Sequence, residues 1–173
     1  MDPRYPIGKY AFEGEITAAQ REQWIHEIET LPARLRQAVA GLSEDQLNLP
    51  YREGGWTLRQ VVHHLPDSHL NAYTRFKLAL TEETPTIRPY FEDRWATLAD
   101  YEGDIEVSLL LLEALHRRWT HLLRSLSDAD YAREFHHPET GKSTSLAYNL
   151  GSYAWHGNHH LAHITALRTK LDL

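Results

Sequence analysis

Between Tyr153 and Ile164 the chain reads Tyr-Ala-Trp-His-Gly-Asn-His-His-Leu-Ala-His-Ile, which sets histidines at 156, 159, 160 and 163. Leu146, Leu150, Leu161, Ile164 and Leu167 recur around them at helical spacing, so the segment is expected to be a helix with one apolar face. Residues four apart on a helix are about 40° apart around the axis and roughly 6 Å apart along it. His156 and His160 stand in that relation, and two imidazoles so placed can share one metal ion. His159 and His163 have the same spacing and form a rival pair. With Leu146, Leu150, Tyr153, Leu161 and Ile164 turned to the core, His156 and His160 lie along the edge of the stripe and His163 within it, whereas His159 is expected to point well away. That favours His156 and His160 as ligands, with His163 as a neighbour that orients a ligand or lines the pocket. No Glu follows the first histidine, so this is not the His-Glu-x-x-His helix of metalloproteases, and a third ligand must come from elsewhere.

Composition bounds the rest. With 173 residues and 42% hydrophobic residues, the chain suffices for one substantial core and is short for two domains, so a single domain over residues 1–173 is expected. A formal net charge of −6, with no run of like charges, argues against nucleic acid as a partner, because phosphate binding needs a concentrated basic surface. The chain has no cysteine, which leaves His, Asp and Glu for a metal site and rules out a cysteine nucleophile of its own. No apolar window approaches a membrane span, and the N-terminus lacks the basic and apolar regions of a signal peptide, so a cytoplasmic protein without a membrane partner is expected.

The elements that must carry the histidines can be read in order. Residues 1–16, with Pro3, Pro6, Gly8 and Gly14, form an irregular arm anchored by Tyr5, Ile7, Tyr10 and Phe12. Thr17 with Gln20 opens a first long helix bearing Trp24, Ile25, Ile28, Leu31, Leu35, Val39 and Leu42, with a bend expected at Pro32. Thr57 with Gln60 opens a second that runs to about Leu80. In it, Pro66 predicts a kink beside His63-His64, and His64, Ser68, Asn71 and Arg75 form a polar strip along the border of the apolar face. The two prolines of Thr84–Tyr90 dictate an extended crossover within residues 81–104. Asp104 caps a third helix with Val107, Leu110, Leu111, Ala114, Leu115, Trp119, Leu122, Leu123 and Leu126 on a broad apolar face. His116 and His121 on it have no helical partner at i+4 and are expected to be structural or exposed. A small hairpin turning at Pro138–Gly141 precedes the histidine helix, which Ser145 caps.

Tyr5–Gly8, Pro50–Arg52, Gly54–Thr57, Arg59–Leu65, Asp67–His69, Arg75–Lys77, Pro85–Ile87 and Trp155–Ile164 together resemble the DinB-like four-helix metalloproteins, and specifically their YfiT branch, nearly end to end. The resemblance implies an all-α, DinB-like four-helix bundle with a long crossover and a small hairpin before the last helix. It implies one zinc or nickel ion per subunit, held by one histidine of the second helix and two of the last, which carry over to His64, His156 and His160. Helix spacing alone does not choose His64 over His63 or His69. Pro66 stands where the family pattern leads one to expect an ordinary helix former.

The resemblance further implies a cytoplasmic homodimer and a metal-dependent hydrolase acting on a small-molecule substrate. Related bundles transfer low-molecular-weight thiols such as bacillithiol, so a metal-dependent thiol S-transferase is the alternative, with Arg75 available to a carboxylate of the thiol cosubstrate. Three neutral imidazoles leave positions open on a divalent ion, the arrangement of a catalytic centre. The remaining alternative is a non-catalytic metal- or ligand-binding bundle. No general base is assigned, since no spacing rule aims Asp67, Glu82 or Glu83 at the metal.

Overall fold

The computed structural model describes residues 2–172, so Met1 and Leu173, the ends of the expected domain, lie outside it. Four long helices dominate: α1 (Ala18–Val39), α3 (Leu58–Thr81), α5 (Ile105–Arg124) and α7 (Leu146–Leu171). Short helices α2 (Glu44–Leu47), α4 (Glu92–Trp95) and α6 (Asp128–Tyr131) lie in the connections. Each long helix starts where a short polar side chain accepts a backbone N–H that the first turn leaves unpaired. Thr17 accepts from Gln20, Thr57 from Gln60, Asp104 from Glu106 and Ser145 from Tyr148. Pro32 and Pro66 do not end their helices, and α1 and α3 run through them. Each proline lacks an N–H, however, and leaves the carbonyl one turn back without its usual donor.

Both α1 and α3 pack on α5 and α7. The chain therefore crosses the bundle between α1 and α3, and again between α5 and α7, which takes longer connections than an up-and-down bundle needs. The crossover after α3 is pinned to β1 (Glu134–His137) by Ile87 N–H to His136 O at 3.0 Å and His136 N–H to Pro85 O at 2.9 Å. β1 pairs antiparallel with β2 (Lys142–Ser145), with Phe135 opposite Thr144, and Gly141 takes the left-handed φ of 66° that the turn requires. At the far end of the crossover, Tyr101 Oη donates to Asp67 Oδ2 at 2.7 Å and ties it back to α3.

The core divides into two apolar clusters. One gathers Trp24, Ile28, Phe76, Trp119, Phe135 and Leu150, and the other Leu31, Leu35, Val61, Leu65, Leu112 and Ile164. Along each of α3, α5 and α7 the change from one cluster to the other falls at buried histidines: His63, His64 and His69; His116; and His159, His160 and His163. The bundle thus carries a polar layer across its middle.

On α5 the apolar face differs from the expected one. Leu109 and Leu112 are buried, while Val107, Leu110 and Leu111 are exposed and Ala114 lies outside the core. Four consecutive leucines satisfy any phase of the helical period, and the packing of Trp119 and His116 against α1 and α3 sets the phase actually used. Among the described residues, no helix is long and apolar enough to cross a membrane.

Candidate metal centre

A tight loop and two long helices build the site. Tyr51 N–H donates to Trp56 O at 3.0 Å and Leu58 N–H to Leu49 O at 3.1 Å, with Gly54 in the left-handed region at φ 66°. This closed loop lays Trp56 over the histidines, its ring centroid 4.7 Å from that of His64 and 6.3 Å from that of His160, parallel to the latter within 11°. Tyr51 stacks on His163 at 3.9 Å. The N-terminal arm covers the other side of α7: Tyr10 packs on Tyr148 and Trp155, and Tyr5 on His159.

His64 from α3 meets His156 and His160 from α7, and a nitrogen from each lies within 4.8 Å of the other two. His64 Nε2 and His156 Nε2 are 3.2 Å apart. Two nitrogens bound at tetrahedral corners of a zinc ion lie about 3.3 Å apart, given metal–nitrogen bonds near 2.0–2.1 Å. The ring pair is therefore spaced for a shared ion. His64 Nδ1 is buried with no hydrogen-bond partner among the described residues.

The second close group, His159, His160 and His163, shares His160 with the first. His163 is already engaged at both ring nitrogens, Nε2 lying 3.3 Å from Arg4 O and Nδ1 3.4 Å from His160 Nδ1. A carbonyl can only accept, so His163 Nε2 carries the proton and Nδ1 accepts from His160 Nδ1–H. That leaves His160 Nε2 with a free lone pair, and makes His163 an orienting neighbour of His160 with no lone pair to spare.

Burial holds the cluster neutral. It pushes His64 down to about 3 and His163 to about 4, and His156 and His160 well below the ordinary imidazole range, with neighbouring histidines adding to the effect. Neutral imidazole is the form that gives a lone pair to a metal.

The site opens into a cavity of about 600 Å³, also lined by Tyr51, Arg52, Trp56, Ser68, Tyr90, Glu92 and Asp93. Ser68 Oγ is 3.5 Å from His156 Nε2. Of the polar strip expected on α3, Ser68 reaches the cavity, while Asn71 and Arg75 are not among its lining residues. Asn71 donates instead to the Asp67 carbonyl at 2.9 Å.

His63 turns the other way, its Nδ1 2.7 Å from Ser108 Oγ and its Nε2 3.1 Å from Gly103 O. That separates it from its neighbour His64, which the sequence could not do. His159, expected to point well away from the core stripe, is 7% exposed and stacked on Trp155 at 4.5 Å. The arm, whose path helical periodicity does not encode, encloses that face. His69 and His116 are both buried in the core, joined at 2.8 Å, and His69 reaches His156 Nδ1 at 3.2 Å. Their part in the site was not legible, because His116 finds its partner on another helix. Tyr51, Arg52 and Trp56 stood out only as residues carrying the family resemblance, and Tyr90, Glu92 and Asp93 gave no sign in the sequence of facing the histidines.

Comparison with known proteins fits this geometry. Residues 27–164 match the DinB superfamily model. A protein of Oceanobacillus iheyensis named "Putative metal-dependent hydrolase" is 57% identical over 172 residues, covering 99% of both chains. A relative of the same description from Bacillus mycoides is 54% identical over 171 residues, covering 99% of this chain and 98% of the relative. The solved structure of YfiT from Bacillus subtilis, described as a probable metal-dependent hydrolase with an unusual four-helix bundle topology, superposes with a TM-score of 0.97 at 51% identity over 99% of each chain.

Proposed function

The chain belongs to the DinB superfamily, and within it we propose that this protein is a metal-dependent hydrolase whose single divalent ion, zinc or else nickel, is held by His64, His156 and His160. The observation that carries the reading is the convergence of three neutral imidazoles from two helices, His64 and His160 buried and His156 partly so, on one open cavity. A set of three protein ligands leaves room in the coordination sphere for reactants, unlike a closed structural site. When bound, the ion would supply Lewis-acid polarisation of an electrophile and activation of water.

The chain's own residues would do the rest. Trp56 shields His64 and His160 from solvent on one side. Arg52 offers a cation to an anionic group of the substrate, and Glu92 and Asp93 are the carboxylates of the same cavity that could take up a proton. Asp67 is committed to Tyr101, and Glu82 and Glu83 do not line the cavity. The small-molecule substrate must fit a space of about 600 Å³.

The test is turnover of a panel of amides, esters and phosphoesters by the zinc- and nickel-loaded protein, with the chelated protein as control. Hydrolysis that needs the metal and is lost in His160→Ala supports the reading. Turnover that appears only after bacillithiol or another small thiol is added, with a thioether product, would refute it in favour of thiol transfer.

A further inference from the structure

Behind the proposed ligands, a line of rings runs from His156 on α7 through α3 and α5 to a backbone carbonyl on α1. Ile28 O lies 2.6 Å from His116 Nδ1, His116 Nε2 2.8 Å from His69 Nδ1, and His69 Nε2 3.2 Å from His156 Nδ1. His69 and His116 are 0% and 1% exposed and take no part in the proposed ligand set. The carbonyl is available because of the sequence: an α-helix would normally bond it to the N–H of residue 32, and residue 32 is proline.

From this geometry we propose that His116 and His69 are positioning residues, which pass the acceptor character of the Ile28 carbonyl through the core and fix His156 as the Nδ1–H tautomer with its Nε2 lone pair directed at His64. The direction of each bond follows from its end. A carbonyl only accepts, so His116 carries its proton on Nδ1, and a neutral ring then has a lone pair on Nε2. That lone pair must receive His69 Nδ1–H. His69 Nε2 is left to accept, and the donor that meets it among the described residues is His156 Nδ1–H. Two rings in sequence, His116 and His69, thereby select one nitrogen of His156 for metal binding, starting from a proline on the first helix. Burial pushes His116 down to about 4, with the Ile28 hydrogen bond opposing, and His69 well below the ordinary range, so single-proton rings are what this core favours. A hydrogen bond behind a metal-binding imidazole is known to hold its tautomer and ring orientation and to raise its basicity.

The inference rests on His156 being a ligand, and the experiment separates the two claims. In the metal-free, histidine-¹⁵N-labelled protein, long-range ¹⁵N–¹H correlation should show His116, His69 and His156 all protonated at Nδ1 and unprotonated at Nε2. Zinc affinity, measured by chelator competition, should fall about 10- to 100-fold in His69→Leu. In the same variant the His156 signals should shift toward a mixture of tautomers. His69→Gln, whose amide oxygen can accept where Nε2 did, should restore both affinity and tautomer, which a role in packing alone would not produce. Protonated Nε2 on His156 in the metal-free wild type overturns the proposal, and so does wild-type affinity in folded His69→Leu. If the leucine variant does not fold, the wild-type tautomer pattern still decides. A wild-type protein that binds no zinc refutes the metal centre instead, leaving the tautomer pattern to judge the histidine line by itself.

Discussion

Acidification should destabilise the metal-free protein well above the pH at which its carboxylates titrate, and His64 and His116 set a minimum for the effect. Both are buried, and burial lowers them from the ordinary imidazole value of 6.5 to about 3 and about 4. The unfolded chain binds their protons below about pH 6.5 and the native state does not. Stability is therefore fully present above that pH and is lost as the pH falls toward the folded values. Between about pH 7.5 and 5.5 each group contributes roughly one pKa unit of linkage, about 1.4 kcal/mol, so the pair removes about 3 kcal/mol. That is a large share of a typical domain stability of about 5–15 kcal/mol. His69, His156 and His160 are lowered in the same direction and can only add to the loss. The assay is urea denaturation of chelated protein followed by far-UV circular dichroism at both pH values. Saturating zinc should resist the fall, because the ion binds only the native arrangement of lone pairs. Equal stability at about pH 7.5 and 5.5 in the chelated protein would show that these rings are not buried neutral, and the reasoning would fail.

Three further outcomes are expected. His64→Ala, His156→Ala and His160→Ala should each lose most of the bound metal by elemental analysis, whereas His159→Ala keeps it, since that ring lies against Trp155 and the arm. Full metal retention in His160→Ala ends the ligand assignment. Gly151→Ala would press a methyl to 2.8 Å from the Trp24 ring and 2.3 Å from Tyr10 Oη, costing about 1–3 kcal/mol in urea denaturation and loosening the arm. In Gly157→Ala the three nearest atoms all belong to the Leu31 side chain, Cδ2 at 2.4 Å, and the gain in helix propensity of about 1 kcal/mol should offset much of that contact; a greater loss at Gly157 than at Gly151 contradicts this ordering. A homodimer gives twice the chain mass of 20.1 kDa by light scattering at micromolar concentration, and a monomer there refutes that assembly.

Local terms made much of this protein readable. The start of each long helix follows from Thr17, Thr57, Asp104 and Ser145, whose side chains act on backbone groups within three residues. The apolar face of α3, the hairpin around Gly141 and the i, i+4 pair His156 and His160 follow from periodicity and turn chemistry of the same short range. Long-range pairing was not encoded in that way. Adjacent His63 and His64 are alike in sequence and differ because Ser108 and Gly103 come to one and His156 to the other. The leucine run at 109–112 has no phase of its own until α1 and α3 pack on it. His159 is enclosed by an irregular arm more than a hundred residues away in the chain. Pro32 was visible as a helix irregularity, but the use of the Ile28 carbonyl that it frees depends on α5 packing His116 against α1. Caps and periods act along one chain segment, whereas ligand choice, tautomer and helix phase depend on which segments become neighbours, and that is settled by burying all four helices against one another at once.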